Sequence, residues 1–151
     1  MPDATVYLFI ARPSRDAEGI QLLATALMLN GVAMEVCGSS RPASGSEHLI
    51  SHALDLMNPK PRLHGLQVGV ATYLVSQLQK HGTDRIAALF DATGFCDQIR
   101  QEPFIREHWV DAFHSAPSVK PNFYTILSER DYADDLTRII DHDPHLRGLY
   151  V

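Results

Sequence analysis

Residues 44–82 read SGSEHLISHALDLMNPKPRLHGLQVGVATYLVSQLQKHG. In the first part, Ser44 stands three residues before Glu47, a capping box that predicts a helix start, and NPKP ends that helix. In the second part, apolar residues recur at helical spacing from His64, and Gly82 closes the segment as a C-cap. The stretch therefore predicts two consecutive helices joined by a short, proline-containing connection.

Helical periodicity continues on both sides of this stretch. A long helix is predicted from Ser14 to Gly38, and because it is apolar on nearly every side it is predicted to be buried. An apolar segment at 4–11 is also interpreted as helix, and the residues after 142 are predicted to be irregular. Further helices are predicted at 83–92, 96–101, 103–115, 119–129 and 131–142. Strand signals are almost absent, so the fold class is predicted to be all-α, with seven or eight helices.

Composition limits the class of protein. The chain has 151 residues, 13 Lys and Arg against 18 Asp and Glu, a net charge of −5 and 45% hydrophobic residues. This length predicts one domain with its own apolar core. The acidic balance argues against a nucleic-acid or membrane-surface partner, and no apolar run is interpreted as a membrane span. Two cysteines and no recognisable leader sequence favour a reduced, cytoplasmic protein.

Three histidines are candidates for a site. His48 and His52 lie four residues apart on one predicted helix and therefore share a face, while His64 begins the next helix. Neutral imidazole is a common ligand for Zn²⁺ and related divalent ions. A pair with this spacing is also typical of surface or hydrogen-bonded histidines, so the residues alone leave both interpretations open.

Arg41 precedes the first of these helices, in SSRPASG. A guanidinium near the backbone N–H groups of Ser46 and Glu47 would bind a phosphate or carboxylate. In the alternative interpretation, Ser44 and Glu47 only cap the helix and Arg41 is solvated. No P-loop and no G-x-G-x-x-G dinucleotide fingerprint occurs in the chain.

The motifs GVAMEVCGSSRPASGSEHLISHALD (31–55), LHGLQVGVATYL (63–74) and KPNFYTILSE (120–129) together resemble a known family. They are similar to the C-terminal half of the sn-glycerol-1-phosphate dehydrogenases, in the superfamily of iron-containing alcohol dehydrogenases, glycerol dehydrogenase and dehydroquinate synthase. The resemblance covers about 16–142. It implies a multi-helix domain like the C-terminal metal-binding domain of iron-containing alcohol dehydrogenases at 16–151, preceded by a divergent N-terminal segment at 1–15 and without the nucleotide-binding domain.

The resemblance also implies roles for individual residues. His48 and His64 match metal ligands for Zn²⁺, or alternatively Ni²⁺ or Fe²⁺. His52 matches a histidine beside the substrate and is expected to be catalytic, and Arg41 matches a position that contacts the substrate phosphate. The family's third ligand, an Asp, lies farther before the first histidine than the 47 residues that precede His48 here. No residue therefore matches it, and no cofactor-binding residue is assigned.

Two functions from different classes follow from this resemblance. In the first, the chain is the helical half of an NAD(P)-dependent oxidoreductase acting on dihydroxyacetone phosphate or glycerol 1-phosphate, inactive until a nucleotide-binding polypeptide supplies the NAD(P) site. In the second, it is a non-catalytic helical module that binds a partner or forms a homodimer through the surface that its lost domain would cover. Whether the chain is an enzyme is open at this stage.

Overall fold

The computed structural model describes residues 16–58, 60 and 62–151, and this part of the chain is all-α, as predicted. Its helices are α1 (Ala17–Cys37), α2 (Ser46–Met57), α3 (His64–Leu78), α4 (Thr83–Thr93), α5 (Phe95–Arg100), α6 (Arg106–Ser115) and α7 (Ala133–His142). Short 3-10 turns occupy Arg41–Ala43, Ala116–Ser118, Ile126–Ser128 and Pro144–Leu146. The interpretation of 4–11 as helix, the start at Ser14 and the segment 1–15 lie outside the described residues.

The core is built around α2, which packs against α3 and α6, while α3 also contacts α4 and α7. Its largest side chain is Trp109 of α6, only 1% exposed, which packs against the rings of Phe104, Phe113 and Tyr150. The end of the chain is fixed to the same region, because the Val151 N–H donates to the Phe104 carbonyl at 2.9 Å. This packing holds α2 and α3 as a rigid support for the residues at their first turns.

One predicted helix does not form. The segment predicted as a helix at 119–129 contains only the turn Ile126–Ser128. Asn122 has a positive φ of 58° directly after Pro121, and the Thr125 hydroxyl accepts from the Leu127 N–H at 3.3 Å. A proline, a left-handed residue and a local cap each interrupt the helical hydrogen-bond pattern, so apolar spacing does not decide the structure here.

The start of α2 also differs by one position from the prediction. Its N-cap is Gly45, not Ser44, so the predicted capping box does not form. Glu47, at the second position of the helix, still bonds back to the N-cap, because its Oε1 accepts from the Gly45 N–H at 2.7 Å. The carboxylate of Glu47 therefore lies at the positive end of the α2 dipole.

Helix α1 is present as predicted, but its predicted burial is wrong. Asp16 caps its start by accepting from the Gly19 N–H at 2.8 Å, and Gly38 ends it with a φ of 60°. Six of its large apolar side chains are 58–81% exposed: Ile20, Leu27, Met28, Leu29, Val32 and Val36. Among the described residues, only the turn Arg41–Ala43 contacts α1 extensively. An apolar helix is buried only if another element covers it, and the described residues provide no such cover.

Helix α1 also corrects the expectation that no segment could span a membrane. By length and composition alone it is long and apolar enough to cross a bilayer. Core helices and N-terminal signal sequences meet the same criterion. The uncharged stretch between Glu18 and Glu35 has sixteen residues, about 24 Å of helix, which is shorter than the ~30 Å of a bilayer's hydrocarbon core.

Helices α3 and α5 pack closely at Gly69, which has no room for a larger side chain. A Cβ atom on Gly69 would overlap the Phe95 ring, with Cε2 only 2.9 Å away, and that ring is stacked on Phe90 at 4.3 Å between centroids. We expect Gly69→Ala to lower the free energy of unfolding by about 1–2 kcal/mol, because overpacking of about 1–3 kcal/mol exceeds the gain in helix propensity. Denaturant unfolding followed by circular dichroism measures the change.

Gly65 of the same helix provides the control for this prediction. A Cβ there meets nothing within 4 Å, so Gly65→Ala should leave stability unchanged or raise it by up to about 1 kcal/mol. Equal stability of the two variants would contradict the close contact at Gly69.

Candidate functional site

The three predicted histidines lie together where the first turns of α2 and α3 meet. The ring centroids are 5.3 Å apart for His48 and His64, 5.8 Å for His52 and His64, and 6.4 Å for His48 and His52. His48 and His52 share one face of α2 because they are one turn apart. Helix α3 begins beside this face, so the ring of His64 joins the two rings of α2.

His48 is oriented by an acidic neighbour. Its Nδ1 lies 2.9 Å from Glu47 Oε1, and the side chains of His48 and Glu47 are 23% and 20% exposed. Burial raises the pKa of Glu47, but hydrogen bonds from His48 and from the backbone N–H groups of Glu47 and Gly45 outweigh it and hold that pKa below its ordinary value. Glu47 is therefore ionised at neutral pH and accepts the Nδ1 proton of His48.

His64 is oriented by a neutral neighbour. Its Nδ1 lies 2.9 Å from the Ser51 hydroxyl of α2, which donates to Gln67 Oε1 at 3.3 Å. Partial burial, and then the charge of a protonated His48, lower the pKa of His64 against an opposing effect of Asp55. His64 is therefore neutral at neutral pH and keeps a nitrogen lone pair.

The third histidine, His52, is exposed and makes no hydrogen bond to any described residue. It is in contact with solvent beside the other two rings. An imidazole in this position can exchange protons with water without first breaking an internal hydrogen bond.

A cavity of about 490 Å³ extends from this cluster between the start of α2, the second half of α3 and residues 124–126. Its wall contains His48, the first turn of α2 and Arg41. The guanidinium of Arg41 lies 4.2 Å from the Phe123 ring centroid, and its Nη1 donates to the Tyr124 carbonyl at 2.7 Å. These contacts hold Arg41 at the cavity while leaving further N–H donors for a ligand. Neither His52 nor His64 is part of the cavity wall.

Comparison with known proteins supports the resemblance read from the motifs. The chain is 40% identical over 123 residues to the glycerol-1-phosphate dehydrogenase [NAD(P)+] of Pyrococcus furiosus, a match covering 82% of this chain and 34% of that protein. It is 43% identical over 107 residues to the enzyme of Methanosarcina acetivorans, covering 71% of this chain and 30% of the relative. The enzyme of Staphylothermus marinus is 39% identical over 123 residues, covering 81% and 35%. No family profile matches the chain.

The chain is homologous to glycerol-1-phosphate dehydrogenases. It spans only about a third of the length of the relatives it matches. The comparisons therefore confirm the resemblance that the histidine and arginine motifs indicated, and this resemblance concerns one part of those enzymes.

The donor chemistry of the cluster fits the divalent metal that the dehydrogenase resemblance implies. His48 and His64 each use Nδ1 in a hydrogen bond to a neighbouring oxygen, which is how metal-binding histidines are oriented and leaves Nε2 for a ligand bond. Within residues 16–58, 60 and 62–151, however, no three His, Cys, Asp or Glu side chains are placed so that they could hold a metal ion. The two imidazoles therefore form an incomplete ligand set.

Four further residues belong to the site although the sequence analysis did not single them out. His81 and Arg85 contribute to the cavity wall at the corner between α3 and α4, and only the intervening Gly82 signals that corner. Ser51 and Gln67 are buried beside the histidines. Their signal was available, since a polar residue at helical spacing within an apolar face requires a partner.

Proposed function

We propose that this chain is the helical metal- and substrate-binding half of a glycerol-1-phosphate dehydrogenase-like NAD(P)-dependent oxidoreductase. Its substrates are dihydroxyacetone phosphate and glycerol 1-phosphate, and it is inactive without a nucleotide-binding polypeptide. The observation that carries the proposal is the convergence of His48, His52 and His64 beside a cavity that also contains Arg41. Homology to enzymes named glycerol-1-phosphate dehydrogenase [NAD(P)+] supports it.

His48 and His64 are the residues that would hold the metal, with Zn²⁺ favoured and Ni²⁺ or Fe²⁺ as alternatives. Bound there, the ion would supply Lewis-acid polarisation of the substrate's ketone oxygen. Glu47 and Ser51 fix the two imidazole rings from behind, so that little reorganisation is needed when a ligand bond forms.

Arg41 would bind the substrate phosphate. Its guanidinium is anchored by Phe123 and by the Tyr124 carbonyl, so its position is set before substrate enters. The N-terminus of α2 contributes less, because the ionised Glu47 already lies there and repels an anion. Phosphate affinity should therefore depend mainly on arginine.

His52 would transfer a proton between solvent and the substrate oxygen. It is exposed, makes no hydrogen bond to any residue that the structure describes, and its ring lies 5.8 Å from that of His64. Hydride transfer itself requires a nicotinamide held near the substrate carbon, and this chain contains no dinucleotide fingerprint.

A nucleotide-binding polypeptide is proposed to cover the exposed face of α1. The relatives are about three times as long as the matched region. Most of the length of each relative therefore has no counterpart in this chain. Exposed apolar patches of this kind mark interaction surfaces. The second candidate function, a non-catalytic homodimerising module, is favoured by the same face, and self-association of α1 distinguishes it.

The arginine role predicts a specific loss of affinity. Arg41→Gln should weaken glycerol 1-phosphate binding by about tenfold or more, because a charge-assisted hydrogen bond is worth about 1.5–3 kcal/mol. Calorimetric titration of the Zn²⁺-loaded chain measures the affinity. Arg138→Gln is the control, since Arg138 is an exposed residue of α7 paired with Asp135.

Glycerol lacks the phosphate, so its binding distinguishes a lost phosphate contact from general damage to the binding site in Arg41→Gln. Its weak binding should be equal in wild type and Arg41→Gln. Unchanged glycerol 1-phosphate affinity in Arg41→Gln would contradict the phosphate role of Arg41.

A further inference from the structure

Ser51 and Gln67 form a buried polar pair beneath the histidine cluster. Ser51 is 0% exposed and Gln67 is 3% exposed. Ser51 belongs to α2, whereas Gln67 lies one turn after His64 on α3. The hydroxyl therefore links the two helices through its contacts with His64 and Gln67.

The number of hydrogen atoms on Ser51 determines which groups donate and which accept in this pair. A serine hydroxyl carries one hydrogen, and the Gln67 oxygen can only accept, so Ser51 donates its hydrogen to Gln67. The hydroxyl oxygen, 2.9 Å from His64 Nδ1, must then accept the hydrogen bond from that nitrogen. His64 consequently carries its proton on Nδ1, and its Nε2 is an unprotonated lone pair.

We propose that Ser51 and Gln67 are positioning residues that keep a proton of His64 on Nδ1. Their importance for metal binding rests on the function proposed above, whereas the tautomer itself does not. His48 is oriented by a different kind of neighbour, because its Nδ1 lies 2.9 Å from the ionised Glu47 carboxylate.

The side chains of Ser51 and Gln67 are uncharged, and this affects the total charge of the histidine cluster. One carboxylate, that of Glu47, already lies beside His48, and a second one beside His64 would change the charge of the cluster. A hydroxyl backed by an amide fixes the proton of His64 without adding charge. Because the pair is buried, water does not compete for the Ser51 oxygen.

The tautomer can be read directly in the metal-free chain by two-bond ¹H–¹⁵N correlation spectra of the histidine rings. At a pH well above the ordinary histidine pKa of about 6.5, we expect the His64 pattern of an Nδ1–H ring. An Nε2–H pattern in the wild-type chain would overturn the proposal, and this result needs no variant.

Variants test which residues set the tautomer. Ser51→Ala and Gln67→Met should shift His64 toward the Nε2–H form, whereas Gln67→Glu, which still accepts from Ser51, should retain Nδ1–H. Ser76→Ala is the matched control, because Ser76 is an equally buried serine whose hydroxyl donates to the Tyr73 carbonyl on α3. Retention of Nδ1–H in both Ser51→Ala and Gln67→Met would overturn the proposal, and if Ser51→Ala does not fold, Gln67→Met decides alone.

A Ni²⁺ titration separates this inference from the proposed function. Ser51→Ala should weaken Ni²⁺ binding by about 10–100-fold, the usual effect of removing a residue that orients a ligand. A wild-type Nδ1–H tautomer without Ni²⁺ binding would support the positioning role and contradict the metal site. Ni²⁺ binding by a wild-type chain whose His64 is in the Nε2–H form would support the metal site and contradict the positioning role.

Discussion

Replacing His48 by alanine should lower the affinity for Zn²⁺ by at least about a hundredfold. Structural zinc sites gain about 10–16 kcal/mol from four ligands, so each ligand contributes about 3 kcal/mol, and 1.4 kcal/mol is a factor of about ten. The cluster has only two oriented imidazoles, and the loss of either leaves no chelating pair. His64→Ala should therefore have an effect of similar size.

Calorimetric titration with Zn²⁺ and metal analysis of the purified chain measure this effect. His142→Ala is the control, because His142 is exposed and its ring contacts the Arg138 carbonyl of its own helix, away from the histidine cluster. Circular dichroism should be unchanged in all three variants, since neither His48 nor His64 belongs to the core. Equal Zn²⁺ affinity in wild type and His48→Ala would show that the ion binds elsewhere.

Most of the fold follows from local signals in the sequence. Apolar periodicity and the breaks at Gly38, Gly82 and NPKP predict the helices from α1 to α4 at nearly their observed positions. The histidine cluster was also predictable, because the spacing of His48 and His52 places them on one face and the family motifs add His64. The helix signals and the His48–His52 spacing involve residues close together in the sequence, so they can be read without knowing the tertiary structure.

The remainder depends on contacts that a local pattern does not contain. The burial of α1 was wrong because burial is a property of neighbours, and the described residues leave that helix uncovered. The helix predicted at 119–129 was wrong because Pro121, Asn122 and Thr125 outweigh apolar spacing. The pairing of Ser51 with His64 joins residues thirteen positions apart on two different helices, and no pattern within one helix predicts such a contact.

The purified chain, loaded with Zn²⁺, should oxidise neither NADH nor NADPH in the presence of dihydroxyacetone phosphate above the rate without protein. Holding a hydride donor against its acceptor is worth roughly 10⁵ M or more in effective concentration, and this chain contains no dinucleotide fingerprint that would supply it. Loss of nicotinamide absorbance measures the rate. The Pyrococcus furiosus enzyme, a longer relative, is the positive control.

A rate that rises with protein concentration and disappears in His48→Ala would mean that the chain binds its own cofactor, and the proposed need for a partner would be wrong.

If no rate is observed, the oligomeric state of the chain distinguishes the two candidates for covering α1. A monomer leaves that face available for a nucleotide-binding polypeptide. A dimer that Leu27→Glu dissociates would instead assign the face to a second copy, because Leu27 is 58% exposed and a buried charge there is costly. In that case the histidines would be remnants of the enzyme if Zn²⁺ also fails to bind, and the dimerising module would be the better description of the chain.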